Sequence, residues 1–208
     1  MKPILAVLAG LVALGVIIAI IAVAWWGTTY NSLVLTQEQV KESCGQVQNV
    51  CQRRSDLIPN LVAVVKGYAG HENSTLVEVI KARQQITQIN VGDLMKNPEA
   101  QKQFMAAQGQ LSGALQRLMV VAEAYPNLKA NENFRDLQTQ LEGTENRITV
   151  ERMRWQQDTK AYNMLVRGFL THIVADHNGF TVLPYFEAEK GAATAPKISF
   201  EKSSAILP

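Results

Sequence analysis

The chain has no excess of charge of either sign. Its 208 residues hold 20 Lys+Arg against 18 Asp+Glu, and no basic cluster is larger than Arg53-Arg54. A nucleic-acid partner is therefore not expected. Cysteine is scarce: Cys44 and Cys51 are the only two. Seven residues of helix separate them by about 10.5 Å, too far for a bridge within one chain. They read as two small core residues on one helix face, with an intersubunit disulfide or a redox thiol as the sharper alternative. CxxC and Cys/His zinc spacings are missing, and so is HExxH. Gly67-Tyr68-Ala69-Gly70 lacks the strand and lysine of a phosphate loop. Ser43, Ser55, Ser74 and Ser112 have no His/Asp pattern near them, and His71 alone makes no triad. A di-iron bundle needs Glu-x-x-His on two helices; the chain has none, and His172 and His177 come late. The expectation is a protein that is not an enzyme and holds no metal or cofactor.

Polar side chains are also absent from one long stretch. Pro3 to Trp26 is a run of 24 residues without a charge, longer than the roughly 20 needed to cross a bilayer as helix. Trp25, Trp26 and Tyr30 follow at the place of an interfacial aromatic belt. Ala22-Val23-Ala24 resembles a signal-peptidase site, but the run exceeds the roughly 7–15 apolar residues of a signal peptide. We read residues 1–27 as a retained, single-pass anchor. Lys2 lies before the run and the next basic residue is Lys41, which favours a cytoplasmic N-terminus and an extracytoplasmic domain. Ala6/Gly10, Ala9/Ala13 and Gly15/Ala19 would permit close packing between copies.

From Leu33 onward apolar residues recur at a spacing near 3.5, the seam of a coiled coil. Leu33, Val40, Cys44, Val47, Cys51 and Ile58 share it, and only Gly27 interrupts the path from the anchor. Pro59 is read as ending this helix and starting the next, with Asp56 as cap. The second stretch, Asn60 to about Ile89, would bury Leu61, Val65, Tyr68, Leu76, Val79, Ile86 and Ile89. Asn90 to Pro98 reads as a loop. The third stretch, Glu99 to Ala124, would bury Phe104, Leu111, Leu115, Leu118 and Ala122. After Tyr125-Pro126-Asn127 the fourth, Asn131 to Phe169, would bury Phe134, Leu137, Leu141, Ile148, Trp155, Tyr162 and Phe169. The fold class is all-α: an N-terminal transmembrane helix, then an elongated antiparallel four-helix bundle over residues 28–170. Residues 171–208 read as an irregular C-terminal extension, disordered from Glu187 unless a neighbouring subunit holds it.

Particular residue runs now carry a resemblance. Tyr30-Asn31-Ser32-Leu33-Val34 is followed by Arg53-Arg54-Ser55-Asp56-Leu57-Ile58-Pro59-Asn60-Leu61-Val62 and by Val65-Lys66-Gly67-Tyr68-Ala69-Gly70-His71-Glu72. Tyr125-Pro126-Asn127-Leu128-Lys129-Ala130-Asn131-Glu132-Asn133-Phe134 and Leu141-Glu142-Gly143-Thr144-Glu145-Asn146-Arg147-Ile148 come next. Pro184-Tyr185-Phe186-Glu187-Ala188 stands near the end. In this order the chain resembles the LemA family of bacterial membrane proteins. Trp155-Gln156 and Phe169-Leu170 depart from the family's Tyr-Asn and Phe-Pro, so the fourth helix lacks its usual stop.

The resemblance implies a helical protein of the bacterial cell membrane with a role in organising membranes or binding membrane partners. Arg53, Arg54, Asp56, His71, Glu72, Glu142, Glu145, Asn146 and Arg147 are expected to form an interhelical polar network that fixes helix register. The expected function is a self-associating scaffold that organises or remodels the bilayer. The alternative is an adaptor or regulator of a membrane protease or other membrane enzyme. The expected partners are the lipid bilayer, further copies of the chain and other membrane proteins.

Overall fold

The computed structural model describes residues 2–68, 73–89 and 91–185. All its regular elements are helical: α1 (Lys2–Tyr68), α2 (Asn73–Thr87), a 3-10 turn (Val91–Asp93), α3 (Pro98–Glu123), α4 (Pro126–Ala130), α5 (Glu132–Arg167) and α6 (Thr171–His177). Among the described residues there is no strand.

The spine is α1. Its 67 residues rise about 100 Å. Residues 7–25 are exposed on every side, and this is a helix long and apolar enough to cross a membrane. From Leu33 one face turns inward. Leu33, Val40, Val47, Arg54 and Leu61 recur every seven residues, and Cys44, Cys51, Ile58 and Val65 make the row beside them; all are buried. The packed partner is α5, whose buried Phe134, Leu141, Ile148, Trp155 and Tyr162 keep the same period.

The pairing is antiparallel. Asn131 Nδ2 donates to Tyr68 Oη at 3.0 Å, and Arg54 pairs with Glu145. The two contacts lie fourteen residues apart on either helix, so one register holds along the pair.

On the other side α2 and α3 pack through Leu76, Val79, Ala82 and Ile86 against Phe104, Ala107, Leu111, Ala114 and Leu118. Asn97 caps α3: its Oδ1 accepts from Glu99 N at 3.0 Å and from Ala100 N at 3.3 Å, and Pro98 fills the first turn. Gln101 Nε2 donates to Leu94 O at 2.7 Å and ties the preceding connection down.

Several expectations are corrected. Pro59 does not end the first helix; it lies inside α1, which continues to Tyr68. Proline has no N–H to bond the carbonyl four residues back, which is that of Ser55. Arg83 Nε of α2 donates to Ser55 O instead, at 2.9 Å, so the helix continues with its acceptor satisfied. Asp56 is therefore no cap; it accepts from Gln52 Nε2 within α1 at 2.7 Å. Tyr68 is 44% exposed rather than buried. Residues 126–130 form a short helix where only a break is expected, and 171–177 form α6 where no helix is expected.

The last seam position also fails. Phe169 lies seven residues after Tyr162 and the period would bury it, but α5 ends at Arg167 and Gly168 turns to φ −64°, ψ 147°. A side chain at Gly168 would collide with Thr171 Oγ1. Phe169 is left 87% exposed. The disorder expected from Glu187 concerns residues outside those described.

Candidate functional site

The buried polar centre is Arg54. It occupies a place in the α1 seam that its neighbours one heptad away fill with Val47 and Leu61, and it is 1% exposed. Its Nη1 bonds Glu145 Oε2 of α5 and Ser112 Oγ of α3, the latter at 3.2 Å. Its Nη2 bonds Gln108 Oε1 of α3 and approaches Gln108 O at 3.4 Å. Ser112 Oγ lies 3.3 Å from Glu145 Oε1. One guanidinium thus joins three helices. Among the described residues, Arg54 Nε and Gln108 Nε2 have no hydrogen-bond partner. Glu145 is half exposed, on a groove of about 610 Å³ that Leu115, Met119, Val120 and Leu141 also line.

Of the residues expected to form the polar network, Arg54 and Glu145 meet. Arg53 and Arg147 are exposed along a second groove between α1 and α5. Glu142 accepts from Gln138 Nε2 on its own helix at 3.0 Å, and Asn146 is exposed. His71 and Glu72 lie outside the described residues. Gln108 and Ser112 were not anticipated. The signal for Gln108 was its spacing, four residues after Phe104 and three before Leu111 on the inward face of α3. Ser112 carries no such signal, because its role depends on which helix faces it.

The thiols of Cys44 and Cys51 are buried and free. Burial pushes each up to about 11, so both stay protonated near neutral pH and behave as core residues. Tyr162 is likewise raised by burial. Among the described residues no three His, Cys, Asp or Glu side chains gather as metal ligands.

A second cluster lies where the apolar part of α1 ends. Trp26 meets His177 edge to face, with ring centroids 5.4 Å apart, and Tyr30 meets Phe180 at 5.9 Å. Trp25 is 37% exposed. The segment after α6 is held by α5. Asn163 Nδ2 donates to Leu183 O at 2.8 Å, and Asn163 Oδ1 accepts from Leu183 N at 2.9 Å. Tyr162 Oη donates to Thr181 O at 3.1 Å. One buried amide thus satisfies both backbone groups of Leu183, as a neighbouring strand would. Asn163→Ala leaves both unpaired, and local opening of residues 180–185 should become easier by about 2 kcal/mol. Hydrogen exchange at the Leu183 amide checks this: unchanged protection would mean the segment is held elsewhere.

The LemA family model matches residues 43–200 of the chain. Magnetosome protein MamQ of Magnetospirillum gryphiswaldense is 26% identical over 196 residues, which cover 86% of this chain and 72% of that protein. Magnetosome protein MamQ 1 of Paramagnetospirillum magneticum is similar to the same extent, 26% over 196 residues with the same coverage. Protein LemA of Metamycoplasma hominis is 22% identical over 160 residues, covering 77% of this chain and 69% of its own.

Proposed function

The chain belongs to the LemA family, and we propose that it is a non-enzymatic scaffold anchored in a bacterial cell membrane by the first part of α1. In this reading α1, α2, α3 and α5 make an elongated antiparallel four-helix bundle. The bundle self-associates outside the cytoplasm and organises or remodels the bilayer. The observation that carries the proposal is continuity: the apolar helix and the bundle's spine are one element, Lys2–Tyr68. A helix without a break transmits tilt and rotation of its membrane part to the domain, as a flexible linker would not.

Three further observations support it. Relatives of the chain are magnetosome proteins by name. Arg54 at a seam position fits a device that fixes one register. Lys2 before the apolar run, with Lys41 the next basic residue, favours the extracytoplasmic side for the bundle.

Light scattering on the full-length protein in detergent, with electron microscopy of the particle in nanodiscs, is the test. An oligomer is expected. A monomeric particle that crosslinks only to other membrane proteins in native membranes would replace the scaffold with the adaptor reading.

A further inference from the structure

Phe169, Leu170 and Ile173 form an apolar patch that the molecule's own packing does not use. They are 87%, 51% and 48% exposed, and Phe169 is the most exposed large apolar side chain among the described residues. The patch is built, not frayed. Thr171 Oγ1 bonds Leu165 O across the turn, His172 N donates to Gly168 O at 2.9 Å, and Val174 and Ala175 of α6 are fully buried. The turn at Gly168 therefore presents these side chains outward from an anchored helix.

Its height along α1 follows from the register. Tyr68 beside Asn131 and Arg54 beside Glu145 fix the pairing. Carried on to the end of α5, it sets Arg167 level with Ser32. At the other end of α6, His177 packs on Trp26. The patch thus lies between the levels of Trp26 and Ser32, a span of about 9 Å. Trp26 closes the apolar run of α1. The headgroup layer on each side of a bilayer is about 5–8 Å thick. With α1 across the membrane, these apolar side chains fall within that layer and at its edge. Arg167 and His172, both exposed, flank them, and Asp176 is the acidic residue of α6. A short apolar face beside the cationic Arg167 suits an interface with anionic headgroups.

We propose that Phe169, Leu170 and Ile173 make a second membrane contact, lying on the same bilayer that α1 enters. Two contacts set the angle of the bundle to the membrane, where a single helix leaves it free to tilt. The inference rests on the reading of α1 as a spanning helix, and its test separates the two. Single cysteines replace Phe169, Leu170 or Ile173 in the full chain and carry a nitroxide label. Ile17→Cys and Val150→Cys serve as membrane and solvent controls. The unsubstituted chain measures labelling at the buried Cys44 and Cys51. The proteins are placed in vesicles of phosphatidylethanolamine and phosphatidylglycerol. Collisions with oxygen are compared with collisions with a water-soluble nickel chelate.

The expected oxygen-to-nickel ratio at 169, 170 and 173 is several-fold above that at 150 and below that at 17. A ratio equal to that at 150, with 17 deep in lipid, overturns the second contact and leaves the anchor standing. Labels shielded from both reagents mean that a second copy or the C-terminal residues cover the patch, which also overturns it. A water-like signal at 17 overturns the anchor and this inference together.

Discussion

Glu145→Ala should destabilise the protein by about 3 kcal/mol, although half of that side chain faces solvent. The cost falls on its partner. Arg54 is 1% exposed and cationic. Without Glu145 it keeps only the neutral acceptors Gln108 Oε1, Gln108 O and Ser112 Oγ. Stranding a buried charge costs about 3–5 kcal/mol. The lower end applies because the adjoining groove admits water to the guanidinium. Arg54→Met removes the charge itself and fills the seam with an apolar chain. It should cost only about 1 kcal/mol, chiefly from the unpaired amide of Gln108. With Met at 54, Glu145→Ala should then cost close to nothing, because a half-exposed carboxylate without a partner is simply hydrated. The cycle predicts a coupling of about 2–3 kcal/mol, read from denaturant or thermal unfolding of the full chain in detergent. Equal costs of Glu145→Ala in both backgrounds would mean that the ion pair contributes nothing.

That asymmetry could not be read from the sequence, and the reason is physical. Periodicity reports which face of a helix is inward, and it located the buried rows of α1, α3 and α5, with Phe104, Leu111, Leu118, Ile148 and Trp155 all buried. It says nothing about which polar side chain on one helix meets which on another. Arg53 and Arg54 are indistinguishable by composition. The heptad separates them: Arg54 continues Leu33, Val40 and Val47, and Arg53 falls one position outside that row and is exposed. Ser112 and Gln108 become partners only once α3 is docked.

The limits of periodicity appear equally at the end of α5. Phe169 fits the seam and would be buried if α5 continued, but the turn at Gly168 breaks the phase. α6 has seven residues, too few to display a helical period and too few to be stable alone. It exists because Val174 and Ala175 are buried and His177 packs on Trp26. Trp25, Trp26 and Tyr30 were legible as an aromatic group. That Trp26 and Tyr30 also receive the C-terminal segment was not, because the contacts with His177 and Phe180 join residues about 150 positions apart.

Pro59→Ala should stabilise the protein by up to about 3 kcal/mol, the penalty of proline in a helix interior. Proline is normally a stop signal, and here α1 runs through it because a neighbouring helix compensates. Ser55 is 1% exposed, so its carbonyl cannot rely on water, and Arg83 Nε supplies the hydrogen bond that Pro59 cannot. Arg83→Met therefore leaves a buried acceptor unpaired and should cost about 1–3 kcal/mol with Pro59 in place. In the Pro59→Ala chain the N–H of residue 59 meets the same carbonyl, and Arg83→Met should then cost less than half as much. Unfolding of the four variants in detergent gives the cycle. Additive costs would show that Arg83 acts through its other contacts and that α1 tolerates Pro59 for some other reason. A coupling of about 1–2 kcal/mol would assign the continuity of the spine past Pro59 to one side chain of α2. That continuity would then depend on α2 being docked, so a partner that displaces α2 from α1 would weaken the helix at Pro59, some 50 Å from the aromatic boundary at Trp26.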